Sequence, residues 1–304
     1  MNEPAGSSLR VVLVVNPTSG DGRAARGAHA LLAALLDAGV DSRVVVPSDR
    51  DGTREAAAAA VSAGAHAVIA CGGDGTVHDV LQELAGTSCA LGVVSAGSGD
   101  DIAGGLGCSV TPASVPEMVR QLTSDGARVV DLGRVIDRDG RSAVFASVLC
   151  TGFDARVNAR ANALPRLAGQ RYTVAMMTEL SRFRPLAYRI TLDGVTSERE
   201  SMIVTIGNGD RYGGGMRICP EADVSDGLLD ITILDRVSRP RLVTSFRLVY
   251  PGRHVELPFV HTARARDIRI ECEAQVAYAD GERVGPLPVQ ITALPKALRV
   301  ISCD

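Results

Sequence analysis

The stretch His66-Ala67-Val68-Ile69-Ala70-Cys71-Gly72-Gly73-Asp74-Gly75-Thr76 decides the fold of this chain of 304 residues. Its first six residues form a short apolar run typical of a buried strand, and the next four form a turn. Residues 76–85 then have the pattern of a helix, which Gly86 ends. A strand followed at once by a glycine turn and a helix is the repeating unit of a parallel α/β sheet.

The same strand-to-helix unit occurs on both sides of this stretch. The further predicted elements are strands at 9–15, 42–47 and 90–94 and helices at 27–38 and 54–63. We expect Thr53 to be the N-cap of the second of these helices. The alternation predicts a doubly wound α/β domain over residues 1–130, suited to binding a nucleotide.

Beyond residue 130 the pattern changes to short apolar runs separated by Gly and Pro. These predicted strands lie at 128–136, 142–149, 187–192, 202–206, 228–234, 255–260, 267–273, 275–279, 289–293 and 297–301. Their spacing predicts a β-rich, sandwich-like domain over residues 131–294, with a helical insert at 153–183. We expect the last segment, about 295–304, to return to the first domain.

Composition excludes several classes of function. Only one of the 32 basic residues is a lysine, Lys296, so a lysine-containing phosphate loop is absent. The net charge of −3 and the 3% aromatic content argue against nucleic acid as a partner. Seven scattered cysteines without a Cys-x-x-Cys pair indicate a reducing cytoplasm rather than disulfides or zinc.

Membrane contact is expected to be peripheral, because no run of about 18 apolar residues is present. Residues 156–189 carry seven Arg against one Glu. This basic stretch is either a solvated helical face or a surface attracted to anionic lipid. We therefore expect a cytoplasmic protein at the membrane periphery, and the sequence leaves its oligomeric state open, a homodimer included.

Three polar, glycine-rich turns follow predicted strands, at residues 16–20, 71–76 and 95–101. Ligands of open α/β sheets bind at the carboxyl ends of strands, where glycines let a phosphate approach backbone N–H groups. Asp74 places a carboxylate within this cradle. Either Mg²⁺ bridges it to phosphate, or it caps the following helix, and both roles are compatible.

Taken together, the motifs of the whole chain resemble the diacylglycerol kinase catalytic family, which includes bacterial soluble lipid kinases and sphingosine kinases. The matching segments are Asn-Pro-x-Ser-Gly at 16–20, Gly-Gly-Asp-Gly-Thr at 72–76, Gly-Ser-Gly-Asp-Asp at 97–101, Val-Asp-Leu-Gly at 130–133, the block at 213–230 and Asp-Gly-Glu at 280–282. The resemblance implies an ATP- and Mg²⁺-dependent kinase that phosphorylates a hydroxyl of diacylglycerol or a related lipid.

The resemblance also implies roles for individual residues. The implied ATP site consists of Asn16, Pro17, Thr18, Ser19, Gly20, Thr53, Gly72, Gly73, Asp74, Gly75, Thr76, Val77, His78 and Ser98. Glu282, with Asp280, is the implied general base, although Asp280-Gly281 alone would indicate a hairpin turn. The implied structural metal site, for Mg²⁺ or Ca²⁺, uses Asp226 with carbonyls of Asp223 and Leu228, and its alternative is a surface turn.

Three residues depart from the family pattern. His78-Asp79 stands where Asn-Glu is usual, and Asp100 replaces an Asn, exchanging an amide donor for an acceptor. Two other functions therefore stay open: a kinase of a soluble metabolite such as NAD, and a non-catalytic nucleotide- or lipid-binding protein.

Overall fold

The computed structural model describes residues 9–97, 99–163, 175, 178–179 and 184–302. The chain divides into two compact units, Met1–Val130 with Ala297–Asp304, and Asp131–Lys296. The first unit is a mixed α/β domain and the second is rich in β-strands, which confirms the predicted fold class.

The first unit alternates strands and helices. Its elements are β1 (Arg10–Val15), α1 (Arg23–Asp37), β2 (Asp41–Val45), α2 (Arg50–Ser62), β3 (Ala67–Gly72), α3 (Asp74–Leu84), β4 (Ala90–Ser95), α4 (Asp101–Leu106), a 3-10 helix (Pro112–Ser114) and α5 (Val115–Thr123). The strands are parallel in the order β2-β1-β3-β4. Leu31 and Leu35 of α1 and Met118 of α5 pack with Leu13 and Ile69 of the sheet to form a dry core.

The β-rich unit is mainly antiparallel. Its elements are β5 (Arg128–Ile136), β6 (Ser142–Phe145), β7 (Val148–Gly152), α6 (Phe153–Ala163), β8 (Leu186–Leu192), β9 (Val195–Gly207), β10 (Leu229–Asp235), α7 (Arg239–Phe246), a 3-10 helix (Arg253–Glu256), β11 (Val260–Ala265), β12 (Asp267–Glu271), β13 (Val276–Ala279), β14 (Glu282–Pro286) and β15 (Val289–Val300). The strands pair in the order β14-β13-β7-β9-β8-β12-β15, while β10 pairs with both β9 and β11. Phe145 and Tyr188 are the largest fully buried side chains of this unit.

Several predicted boundaries were wrong. Residues 255–260 include a 3-10 turn instead of a full strand, and residues 289–301 form mainly one strand, β15, where two were predicted. Lys296 adopts a φ of +55° within β15, and its N–H donates to the Asp131 carboxylate at 2.7 Å, so the strand continues through an irregular residue. Of the predicted helical insert, α6 and the helical residues 175 and 178–179 are described, and the remainder lies outside the described residues.

The N-cap predicted at Thr53 was also wrong. Helix α2 begins at Arg50, because the Asp49 carboxylate accepts the Gly52 N–H at 2.8 Å and therefore caps the helix. Thr53 lies inside the helix, and its hydroxyl donates to the Asp49 carbonyl at 2.9 Å. Across the described residues, we find no helix that is both long and apolar enough to cross a bilayer.

Candidate active site

Three glycine turns converge at the carboxyl ends of β1, β3 and β4. The Ala96 N–H donates to the Gly72 carbonyl at 3.0 Å, which joins the turn after β4 to the turn after β3. A Cβ on Gly73 would lie only 3.2 Å from the Gly97 Cα. The close approach of these two backbones therefore depends on glycine at both positions.

The turn after β1 is bound to the other two. The Asn16 N–H donates to the Cys71 carbonyl at 2.9 Å. A Cβ on Gly20, whose φ is +58°, would collide with the Ala96 carbonyl oxygen. Arg23 of α1 donates to the carbonyls of Ala96 and Gly97, at 3.2 and 3.3 Å. The sequence reasoning did not find this arginine, although its position three residues after Gly20 is visible in the sequence.

Polar side chains line this cradle. The Asn16 carboxamide oxygen accepts from both the N–H and the hydroxyl of Thr18, at 3.2 and 2.9 Å. The Asn16 amide donates to the Thr76 hydroxyl oxygen at 3.4 Å, so the Thr76 hydroxyl can still donate its own proton to a ligand. Because helix α3 begins at Asp74 without a side-chain cap, its first N–H groups are also suited to phosphate.

Other residues of the implied ATP site are less accessible. The side chains of Val77 and His78 are 1% and 4% exposed, and they lie on the buried side of α3. Thr53 is as buried as Thr76, but unlike Thr76 it donates its hydroxyl proton within its own helix, α2. Ser98 lies outside the described residues. The accessible polar groups of the cradle therefore come from the turns at 16–20 and 72–76.

Asp74 has a perturbed carboxyl group. Its pKa is raised to about 6, chiefly by burial and in addition by the negative charges of Asp101 and Asp100, while the N–H groups of Ile102 and Asp101 oppose the shift. The Ile102 N–H donates to the carboxylate at 3.1 Å. The Asp74 carboxylate thus accepts a hydrogen bond from the first turn of α4, whereas α3, which Asp74 begins, has no side-chain cap.

Asp100 and Asp101 have different positions. The Asp100 carboxylate accepts the Gly97 N–H at 2.8 Å and closes the turn, with its backbone in the left-handed region at a φ of +53°. Asp101 is 8% exposed. Its Oδ2 and the Oδ2 of Asp74 lie 3.0 and 3.3 Å from the point where a Cβ on Gly99 would sit. Two carboxylates therefore face the same small space over a glycine.

The two carboxylates are of the kind that Mg²⁺ uses together with phosphate oxygens, so the residues present fit the implied ion. Burial beside two like charges makes the ionised form of Asp74 unfavourable, and a cation between the carboxylates would relieve that repulsion. No set of three or more metal-binding side chains occurs in the part of the chain that the structure describes. Mg²⁺ commonly uses one or two carboxylates and completes its shell with phosphate oxygens and water.

The β13–β14 hairpin carries Asp280 and Glu282. Asp280 and Gly281 have φ values of +50° and +82°, as a two-residue hairpin turn requires. The two Asp280 carboxylate oxygens accept the N–H groups of Ala146 and Ser147, at 3.0 and 2.9 Å. Asp280 therefore fixes the hairpin against the start of β7, and Glu282, which is partly exposed, follows as the first residue of β14.

The implied metal turn at Asp223, Asp226 and Leu228 is a tight loop before β10. The Asp226 carboxylate accepts the Leu228 N–H at 2.9 Å and lies 3.6 Å from the Arg264 guanidinium. The Asp223 carbonyl accepts the Asp226 N–H at 3.5 Å. A cation here would compete with Arg264 for Asp226, so the residues present do not form a ready donor set.

An apolar pocket lies within the β-rich unit. The cavity of about 110 Å³ is lined largely by apolar and aromatic side chains, among them Phe153, Ile203, Leu234, Phe246 and Phe259. Its lining also includes the acidic side chain of Asp154, whose pKa burial raises to about 6 and which accepts the Tyr212 hydroxyl at 2.6 Å. The lining residues are far apart in sequence, which is why sequence patterns did not reveal this pocket.

Comparison with known proteins agrees with this geometry. Residues 10–135 match the family described as the diacylglycerol kinase catalytic domain, and residues 147–302 match the YegS C-terminal NAD kinase beta sandwich-like domain. A Mycobacterium tuberculosis protein described as diacylglycerol kinase is 44% identical over 296 residues, covering 96% of this chain and 94% of that protein.

More distant matches agree with this assignment. A Pseudomonas aeruginosa protein described as "Probable lipid kinase YegS-like" is 31% identical and covers 90% of this chain and 88% of its own length. A Bacillus anthracis crystal structure superimposes with a TM-score of 0.77 at 22% identity, covering 99% of this chain and 97% of that one, and so shares the fold. The chain therefore belongs to the diacylglycerol kinase catalytic-domain family, and it is a lipid kinase.

Proposed function

We propose that this lipid kinase transfers the γ-phosphoryl group of ATP, with Mg²⁺, to a hydroxyl of diacylglycerol or a closely related lipid. The observation that carries the proposal is the pair Asp74 and Asp101, which faces a cradle of three glycine turns. The substrate follows the description of the 44% identical M. tuberculosis relative as a diacylglycerol kinase.

In this proposal the cradle binds the triphosphate without a lysine. The first N–H groups of α3 and the hydroxyl of Thr76 donate to phosphate oxygens, while the Thr18 hydroxyl stays bonded to Asn16. Asp74 and Asp101 would hold Mg²⁺, which would supply positive charge to neutralise the transferred phosphoryl group. Ser19 contributes its hydroxyl from the turn after β1, where its N–H donates to the Asn16 carbonyl at 3.2 Å.

Glu282 acts as the general base on the lipid. The lipid hydroxyl oxygen bonds to the γ-phosphorus, the bond from that phosphorus to the β–γ bridging oxygen breaks, and ADP leaves. The hydroxyl proton passes to the Glu282 carboxylate. Asp280 positions Glu282, because both Asp280 carboxylate oxygens already accept backbone N–H groups.

The apolar pocket of the β-rich unit accommodates part of an acyl chain. Its lining of aliphatic and aromatic side chains favours hydrocarbon over a soluble metabolite such as NAD. The few polar side chains in this lining are the hydrogen-bonded pair Asp154 and Tyr212 together with Thr232, Ser245 and His254.

The test is a phosphoryl-transfer assay with labelled ATP, Mg²⁺ and detergent micelles that contain a panel of hydroxyl-bearing lipids, with NAD as a soluble acceptor. We expect labelled lipid, greatest with diacylglycerol or a close analogue, and no labelled NAD. The substitution Glu282→Gln should lower kcat by about 10²–10⁴-fold. The control Glu273→Gln, at an exposed position of the same unit, should leave kcat unchanged.

Two results would count against different parts of the proposal. Labelled NAD without labelled lipid would show a soluble-metabolite kinase. Full activity of the Glu282→Gln variant on lipid would be consistent with a lipid substrate but would show that Glu282 is not the general base.

A further inference from the structure

Helix α7 and the turn after it form a basic surface segment. Residues 236–253 contain five Arg and no Asp or Glu, in a chain whose net charge is −3. Two of these arginines have carboxylate partners, Arg236 with Glu200 and Arg253 with Glu256. Arg241 lies 4.5 Å above the centre of the Phe259 ring.

The other two arginines share one face of α7. Arg239 and Val243 of α7 and Arg247, which follows the helix with helical backbone angles, are spaced at intervals of four residues and so lie on the same side. All three are exposed, and Val243 is 50% exposed. Among the described residues no carboxylate pairs with Arg239 or Arg247.

The opposite face of α7 is anchored in the protein. Leu242 is 9% exposed and packs with Leu234 and Val260. Phe246 lines the apolar pocket and contacts Tyr250 edge to face, with ring centres 6.1 Å apart. Tyr250 itself is 50% exposed. We call the exposed side chains of Arg239, Val243, Arg247 and Tyr250 the α7 surface.

The α7 surface adjoins the rim of the apolar pocket. Val243 is half exposed and also lines the pocket, so this residue lies where the cavity wall meets the protein surface. Two cations without a carboxylate partner, beside an exposed Val and an exposed Tyr, match the boundary of an anionic bilayer. There cations attract lipid phosphate, and Tyr occupies the level of the headgroups.

We propose that the α7 surface docks this enzyme on anionic bilayers and presents the mouth of the apolar pocket to the membrane. The proposal rests on the lipid-kinase function and adds the surface by which the enzyme reaches its substrate. It is separate from the basic stretch at 156–189, most of which lies outside the described residues. The charge pattern selects the partner: an anionic membrane attracts this surface and a zwitterionic membrane does not.

The first test is sedimentation of the full chain with vesicles of phosphatidylcholine alone and of phosphatidylcholine mixed with phosphatidylglycerol. We expect binding to the mixed vesicles only, weakened by added salt. The double substitution Arg239→Gln and Arg247→Gln should weaken this binding by about 25-fold, from about 1 kcal/mol for each arginine. Tyr250→Asp should weaken it as well.

The matched control is the double substitution Arg43→Gln and Arg138→Gln, which removes the same charge from exposed positions in β2 and after β5. This control should keep vesicle binding within about twofold of the unchanged chain. Equal loss in both double variants would mean that net charge alone drives binding, and full binding by the α7 variant would place the contact elsewhere. Either result overturns the proposal.

A second readout separates this proposal from the lipid-kinase function. With a short-chain, water-soluble diacylglycerol, the Arg239→Gln, Arg247→Gln variant should phosphorylate the lipid as fast as the unchanged chain. With diacylglycerol in anionic vesicles, its rate should fall in parallel with binding. Loss of activity on both substrates would assign the arginines to the reaction itself, and would also contradict the proposal.

Discussion

Replacing Asp74 with Asn should stabilise the first unit while abolishing catalysis. The Asp74 pKa lies at about 6 in the folded chain and has an ordinary value of 3.8, because burial and the neighbouring Asp101 and Asp100 charges disfavour ionisation. A difference of this size corresponds to about 3 kcal/mol. The amide of Asn carries no charge and can still accept the Ile102 N–H, so the substitution removes the penalty and keeps the hydrogen bond.

The sign of the effect depends on pH. A carboxyl group whose folded pKa is raised costs nothing below its unfolded pKa, near pH 4, and its penalty grows as the pH rises to about 6. We therefore expect Asp74→Asn to raise the free energy of unfolding by about 1–3 kcal/mol at neutral pH and by little at pH 4. Urea unfolding followed by circular dichroism at both pH values measures this difference.

A control and a second ligand make the test specific. Asp41→Asn removes a charge at an exposed position of β2 and should change the stability by less than about 0.5 kcal/mol at either pH. Mg²⁺ with ATP should stabilise the unchanged chain more than the Asp74→Asn variant, because the substitution removes one ligand of the ion. A loss of stability on Asp74→Asn at neutral pH, or an equal gain at both pH values, would refute the electrostatic reasoning.

Three further predictions concern the supports of the site. Gly97→Ala should raise the KM for ATP by about 10–10²-fold, because the added Cβ would lie 2.7 Å from the Asp100 carboxylate. The control Gly104→Ala, which has open space around it, should leave the KM unchanged in the same steady-state kinetic assay. Asp280→Ala should lower the free energy of unfolding by about 2–4 kcal/mol, because two backbone N–H groups lose their acceptor. A loss of kcat at unchanged stability would instead assign Asp280 a catalytic role. The double substitution Arg50→Gln and Arg54→Gln should lower the free energy of unfolding by about 3–5 kcal/mol, because both arginines bond to the buried Asp79 carboxylate. A urea titration measures this, and an unchanged midpoint would contradict a stabilising role for the two arginines.

The parallel sheet of the first unit could be predicted because its information is local. Each strand is a short apolar run that ends in a polar or glycine-rich turn, and residues 66–76 specify the strand, turn and helix that follow one another. Thr53 shows the limit of this reasoning. Its residue type predicted an N-cap, but Asp49 caps the helix four residues earlier, so that Thr53 lies inside the helix.

The contacts that complete the candidate site depend on residues far apart in sequence. Asp280 bonds to backbone N–H groups more than 130 positions away, and the Asp154–Tyr212 pair joins residues 58 positions apart. No spacing rule connects such residues. The motif resemblance indicated Glu282 and Asp280 as the general base. It could not show that the Asp280 carboxylate already accepts two backbone N–H groups and therefore positions Glu282.

The most direct test of the lipid-kinase account is the stoichiometry of the reaction. The full chain is incubated with ATP, Mg²⁺ and diacylglycerol in detergent micelles, and mass spectrometry measures ADP and lipid products together. The account predicts one ADP for each lipid molecule that gains a phosphate group on its hydroxyl, with no product when Mg²⁺ is removed by a chelator. ADP formation without a phosphorylated lipid, from diacylglycerol or any other lipid hydroxyl tested, would contradict it.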